Sequence, residues 1–377
     1  MTEKIRRFLR DRQPATPCVV VDLDVVGANY DRLHRLLPRA EIYYAVKANP
    51  AAPVVKLLVG KGSCFDTASI HEIDLCLGQG APAERLSFGN TIKKQSDIAA
   101  AFARGVTLFA FDSRAELEKL AVAAPGARVF CRVLMDCPGA EWPLNRKFGC
   151  ELEMARDLMI RARGLGLDPY GLSFHVGSQQ TDLDQWDLAI GRTAMVFSML
   201  NEAGIELRML NIGGGFPAHY RRDNVPELDA YADAINRAME KHFGNRMPQL
   251  IIEPGRGMTG DAGVIQTEVV LISEKGYGET RRWVFLDIGK FGGLAETMDE
   301  SIQYRIRTRH DGTETGPVIL AGPTCDSADV LYDKADYRLP LALRIGDKIE
   351  IHATGAYTTS YSAVGFNGFP PLQEHYI

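Results

Sequence analysis

The 377-residue sequence has no Cys-x-x-Cys pair, no apolar run approaching the roughly 18 residues of a membrane span, no basic excess and no Gly-rich dinucleotide turn near its first strands. Each absence removes a class of function. Seven cysteines are scattered at Cys18, Cys64, Cys76, Cys131, Cys137, Cys150 and Cys325. An odd count without paired spacing argues against a disulfide framework and a structural zinc site, and most read as small buried residues in a reducing compartment. A formal net charge of −5 offers no field for nucleic acid or for an anionic membrane surface. The stretch MTEKIRRFLRDRQPATP carries no apolar secretory core, so a cytoplasmic location is expected. Its spaced Ile5, Phe8 and Leu9 suit a short amphipathic helix.

What is present is ordinary in bulk and specific in order. Hydrophobic residues make up 46% and charged residues 24%, the balance of a globular chain long enough for one large domain and a smaller one. Short apolar runs occur at 42–46, 64–66, 86–88, 107–111, 129–134, 171–176, 209–213 and 250–253. Between them lie stretches with helical spacing, many ending in glycine, such as SIHEIDLCLGQG and ELEMARDLMIRARGLG. Eight continuous apolar strands alternating with helices predict a closed (β/α)8 barrel, with a doubly wound open sheet as the alternative. After residue 258 the texture changes to strands separated by turns, as in VIQTEVVLISEKG and KIEIHATGAY, which predicts a C-terminal β-domain. PCVVVD (17–22) reads as an extra strand that can join it.

In a (β/α)8 barrel the residues that end the strands gather at one rim, where active sites form. Lys47 ends the first run, Asp66 the second, and Asn90 follows the third. His175, Gly177 and Ser178 close the sixth, GGGFP (213–217) the seventh and EPGR (253–256) the eighth. GGGFP presents backbone N–H groups without an intruding Cβ, which suits phosphate or makes a tight loop and nothing more. Arg256 adds charge for a phosphate or faces solvent. Glu253 needs a partner, either a protonated ring nitrogen or a neighbouring cationic side chain. His175 can stack on a flat ring or be a satisfied core histidine. A buried Lys47, its pKa lowered by desolvation, can form a Schiff base; otherwise it snorkels to solvent. A phosphate site, a ring site, a carboxylate for a ring nitrogen and such a lysine together describe pyridoxal 5'-phosphate.

The motifs YYAVKANP, SFHVGSQ, NIGGGFP, EPGR, GPTCDSAD and GAYTTSYSAVGFNGF resemble those of the fold-type III pyridoxal-phosphate decarboxylases, in family order and over essentially the whole chain. The nearest resemblance is to the shorter, bacterial ornithine decarboxylase branch. The resemblance implies an alanine-racemase-like barrel over 24–258 and a β-sandwich or β-barrel domain built from 1–23 plus 259–377. It implies that Lys47 carries the cofactor, supported by Asp66 and Glu72. It places His175 on the pyridine ring and Glu253 at its nitrogen. Ser178, Gly213, Gly214, Gly215, Arg256 and Tyr357 would hold the phosphate. Cys325 would protonate the product from the partner subunit of a homodimer with two shared sites, and Asp326 beside it would bind the distal ammonium of the substrate. Two matches depart from the family pattern. Phe291 stands where the eukaryotic enzymes carry a tyrosine, which leaves Glu296, Asp299 and Glu300 as candidate specificity acids, with the last two better placed by count. Arg146 lies nearer to KFG than the family arginine does.

The implied activity is decarboxylation of an amino acid, L-ornithine, to putrescine in polyamine biosynthesis. Acids at the distal end would repel the second carboxylate of diaminopimelate, whereas lysine differs from ornithine by one methylene. Lysine, arginine or diaminopimelate decarboxylation, racemisation, and a catalytically inactive decarboxylase-like regulator are the rival readings. Retention of Lys47, Glu253 and Cys325 argues against the inactive one.

Overall fold

A computed structural model describes residues 1–136, 138–142, 147–221 and 224–377. The chain divides into two compact units, one of residues 27–217 and 225–257, the other of residues 1–26, 218–224 and 258–377.

The larger unit is a closed barrel of eight parallel strands: Ala40–Ala45, Cys64–Thr67, Leu86–Phe88, Leu108–Phe111, Arg128–Arg132, Asp168–Ser173, Met209–Asn211 and Gln249–Ile252. The last pairs with the first, Ile252 opposite Ile42, which closes the ring and excludes the open sheet. The inward residues of the strands, among them Tyr43, Leu108, Phe130, Met209 and Ile251, form one buried cluster. A packed interior of this kind is a core and not a pore. Helix starts follow local chemistry. Ser69 accepts from the N–H of Glu72 at the head of Ile70–Gly78, and Ser113 from that of Glu116 at the head of Arg114–Ala123. Lys93 is fully buried; its ammonium donates to the carbonyls of Asn90 and Ala110 and pairs with Glu116 at 3.0 Å. That network, and not propensity, holds the loop after the third strand.

The smaller unit is an eight-stranded sheet. Its long strand Gly263–Ser273 pairs antiparallel with Lys348–His352, Arg282–Leu286 and the early strand Cys18–Val21. Cys18–Val21 also pairs in parallel with Gln373–Tyr376, so residues from both ends of the sequence share one sheet. Helix Glu3–Arg12 lays Ile5 and Leu9 on Cys18, Val20 and Val264. The described cysteines are free thiols, and no helix among the described residues is long and apolar enough to cross a membrane.

Candidate active site

Five of the eight barrel strands end one to three residues before their apolar runs do, and this changes how the rim residues are mounted. Strand Ala40–Ala45 stops before Lys47, which sits in a 3-10 turn, Val46–Ala48. The turn is closed by Asn49 N–H donating to the Val46 carbonyl, and Tyr44 Oη donates to the Asn49 carbonyl. Lys47 is therefore not a buried strand residue. Its side chain is 47% exposed and its ammonium lies 3.4 Å from Asp66 Oδ2. Asp66, buried at the end of Cys64–Thr67, also accepts from Ser87 Oγ at 3.4 Å. Glu72 serves first as a helix cap, accepting from the Ala68 N–H at 2.7 Å. Burial raises its pKa, and the charge of Lys47 pulls it back down, so it also senses the lysine.

His175 likewise lies beyond its strand, which ends at Ser173. Its Nδ1 accepts from the Gly177 N–H at 2.9 Å. An accepting Nδ1 fixes the neutral tautomer with the proton on Nε2. The electrostatics agree: burial first, then the charges of Arg132 and Lys47, hold its pKa well below the usual histidine value. The ring borders the glycine turn. A Cβ on Gly213 would stand 3.2 Å from His175 Cδ2, and one on Gly214 3.4 Å from Nε2.

The glycine turn divides its labour. Gly213 N–H donates to Asn211 Oδ1 at 2.9 Å, and the Gly213 carbonyl accepts from Glu253 N–H. Both backbone groups of Gly213 are thus spent on shaping the turn. Among the described residues, the N–H groups of Gly214 and Gly215 donate to nothing in the protein. A Cβ on Gly214 would lie 2.6 Å from the Glu253 carbonyl, and Gly215 has φ +99, so only glycine fits. Arg256, 4% exposed, donates from Nε to Ser178 Oγ at 3.1 Å. Two open N–H groups beside a buried guanidinium make a site for an anion with several oxygens.

Glu253 follows strand Gln249–Ile252 and accepts from Asn211 Nδ2. Its pKa is pushed up to about 7, by burial first and then by the negative charge of Asp66, against the lowering effect of Lys47, Asn211 and Arg132. A carboxylate under that pressure is stabilised by a cation placed against it. Anion cradle, cation-seeking carboxylate, neutral imidazole and a rim amine fit the phosphate, ring nitrogen, ring and aldehyde of pyridoxal phosphate. Two residues of the site escaped the sequence reading. Asn211 ties the glycine turn to Glu253; its only signal was an amide at the end of an apolar run. Arg132 acts on both His175 and Glu253, and it too is the polar end of a strand.

The β-domain carries the other candidates. Cys325 and Asp326 are exposed; Cys325 N–H donates to Asn367 Oδ1 at 2.8 Å, and Asp326 accepts from the Ala328 N–H. Tyr357 adopts φ 55, a left-handed conformation rare for a bulky residue and typical of functional positions. The three candidate acids differ in their commitments. Glu300 binds the N–H groups of Asp333, Lys334 and Ala335, so its carboxylate is consumed in docking onto strand Val330–Pro340, contrary to the expectation from count. Glu296 is buried, 4% exposed. Asp299 is exposed and holds no donor among the described residues. Arg146 lies outside the described residues.

Known proteins resemble the chain throughout. The family described as "Pyridoxal-dependent decarboxylase, pyridoxal binding domain" matches residues 23–260. The chain is 37% identical to the lysine/ornithine decarboxylase of Selenomonas ruminantium, over 98% of this chain and 91% of that protein. It is 32% identical to the ornithine decarboxylase of Mus musculus, over 95% and 80%. The solved structure of SrLDC in complex with PLP and cadaverine superposes with a TM-score of 0.88 at 35% identity, over 99% of this chain and 93% of that one.

Proposed function

We propose that this chain, which belongs to the fold-type III pyridoxal-phosphate-dependent decarboxylases, removes the α-carboxylate of L-ornithine to give putrescine and carbon dioxide. Bound pyridoxal phosphate supplies the electron sink for the carbon–carbon bond that breaks. The barrel residues do the rest. Lys47 would offer the amine that holds the cofactor, with Asp66 at 3.4 Å to balance its charge. The N–H groups of Gly214 and Gly215, with Arg256 and Ser178, would hold the phosphate. Glu253 would keep a proton on the ring nitrogen. His175, neutral, would lie against the ring without adding a competing positive charge. Cys325 gives a proton to the product carbon.

The observation that carries the choice of a diamino acid is Asp299, an exposed carboxylate without an internal donor among the described residues. With Asp326 it suits a distal ammonium and repels a distal carboxylate. Relatives named for lysine and ornithine support the same class. Carbon dioxide release measured side by side should be fastest per enzyme and substrate for ornithine. Lysine should follow by about 10- to 200-fold, the worth of one methylene, and diaminopimelate should trail both. A preference for arginine or diaminopimelate would reject ornithine as the substrate. Asp299→Ala should lower kcat/KM for ornithine by about 10- to 100-fold, mostly through KM; an unchanged value would remove Asp299 from the site.

The working unit we propose is a homodimer in which the partner's Cys325 completes each site. Mixed inactive Lys47→Ala and Cys325→Ala subunits should then recover about a quarter of wild-type sites after random exchange. No recovery despite demonstrated exchange would place both residues in one subunit's site.

A further inference from the structure

We propose that Asp329 and Asn367 are positioning residues that present Cys325, the first by locking two loops of the β-domain together and the second by holding the Cys325 backbone. The proposal rests on the assignment of Cys325 as the proton donor. GPTCDSAD ends in this second aspartate, to which the reaction gives no part.

Asp329 is 2% exposed, and both its carboxylate oxygens are committed. Oδ1 accepts from the Lys290 N–H at 2.8 Å; Oδ2 accepts from Thr324 Oγ1 at 2.7 Å and the Thr324 N–H at 3.2 Å. Lys290 belongs to the loop after strand Arg282–Leu286, and Thr324 to the loop after strand Thr315–Ala321. The backbone closes the same unit: Gly322 N–H donates to the Asp329 carbonyl, and Asp329 N–H to the Asp326 carbonyl. Both loops are cut to fit the carboxylate. A Cβ on Gly289 would stand 2.1 Å from Asp329 Oδ1, and one on Gly322 2.3 Å from Oδ2. A third segment joins at Cys325, whose N–H is held by Asn367.

Packing between these segments is incomplete: a cavity of about 260 Å³ lies among them. Gly289 and Phe291 line it from the first loop, Pro323 and Thr324 from the second, and Phe366 and Phe369 from the third. Phe291 and Phe366 meet at 4.7 Å and the Ala363 N–H donates to the Phe291 carbonyl, which ties the first segment to the third; Asp329 and Asn367 add the bonds that reach Thr324 and Cys325 on the second. A displacement of about 1 Å at a reacting group costs on the order of 100-fold in rate, so the lock acts on turnover and not on substrate affinity.

The test uses Asp329→Asn and Asn367→Gly in the full chain loaded with cofactor. Asn keeps the size of Asp329 but turns an N–H toward donors. Gly removes the Asn367 amide while tolerating its φ of 50. Two readouts are taken, the rate of iodoacetamide alkylation at Cys325, followed by peptide mass, and the split of kcat from KM for ornithine. Both variants should alkylate Cys325 faster by about threefold or more, and lose about 10- to 100-fold in kcat with KM within about twofold. Alkylation rates and kcat within about twofold of wild type in both variants would overturn the proposal, whatever happens to the melting temperature. If Asp329→Asn does not fold, the exposed Asn367→Gly decides alone. Full turnover by Cys325→Ala would instead remove the assignment of Cys325, while the alkylation result would still report whether the loop is locked.

Discussion

Lys47→Ala should abolish carbon dioxide release from every amino acid tested, a loss of at least about 10³-fold. The reason is covalent. Asp66 and Glu72 can support an amine but cannot replace it, and no second lysine is built into the glycine turn or the rim residues described around it. The exposure of Lys47 sharpens the expectation. Nearly half of its side chain is open to solvent, so its removal leaves no large cavity, and the melting temperature of the cofactor-free protein should stay within a few degrees. The cofactor should still bind through its phosphate site, with weaker retention on dialysis and without the absorbance of a lysine-bound form. Turnover within tenfold of wild type would refute the role of Lys47. Loss of turnover together with unfolding would show instead that the residue is structural.

Glu253→Gln should cost about 10²- to 10³-fold in kcat, the usual loss when one preorganised charge is removed from a site that develops charge. Glutamine keeps the size of the side chain and its contact with Asn211, but an amide cannot hold a proton on a ring nitrogen by charge. A second measurement separates this electrostatic role from packing. In the cofactor-free protein the folded-state pKa of Glu253 is raised to about 7 from the ordinary 4.5. The folded protein therefore holds a proton that the unfolded chain has released between those values. That contribution to stability is complete below about pH 4.5 and is lost as pH rises through 7. Glutamine does not titrate. The melting temperature of Glu253→Gln, minus that of wild type, should increase from pH 5 to pH 8. A difference independent of pH would mean that Glu253 does not titrate in this window, and an unchanged kcat would mean that its charge does not assist the reaction.

Much of this was legible before any coordinates. Strands of three to six apolar residues and glycine-ended helices fix a parallel barrel because each level of the code, periodicity, length and turn chemistry, points the same way. The turn residues after the strands mark the rim, and the residue types there already suit a phosphate, a ring and an amine. The substrate end was less legible. Glu296, Asp299 and Glu300 are three acids within five positions, and no spacing rule separates them. Asp299 and Glu300 both adopt positive φ at a kink, with φ 52 and 57. The chain reverses there, so neighbours in sequence point to different places: Glu300 onto the strand Val330–Pro340 and Asp299 into solvent.

The sequence by itself determined which chemistry is available: an amine, an anion cradle, a buried carboxylate, an imidazole and a thiol, in the order of a decarboxylase family. Those properties are local, set by side-chain type and by the glycines that no other residue can replace. Only the tertiary structure decided which groups remain free to act. Gly213 is spent on Asn211, Glu300 on three backbone donors and Glu72 partly on a helix end, whereas Gly214, Gly215 and Asp299 keep capacity to spare. Commitment of a polar group depends on which partners the fold brings within about 3 Å; for Gly213 and Glu72 they are near neighbours that the local turn must place, and for Glu300 they lie 33 to 35 residues further along the chain.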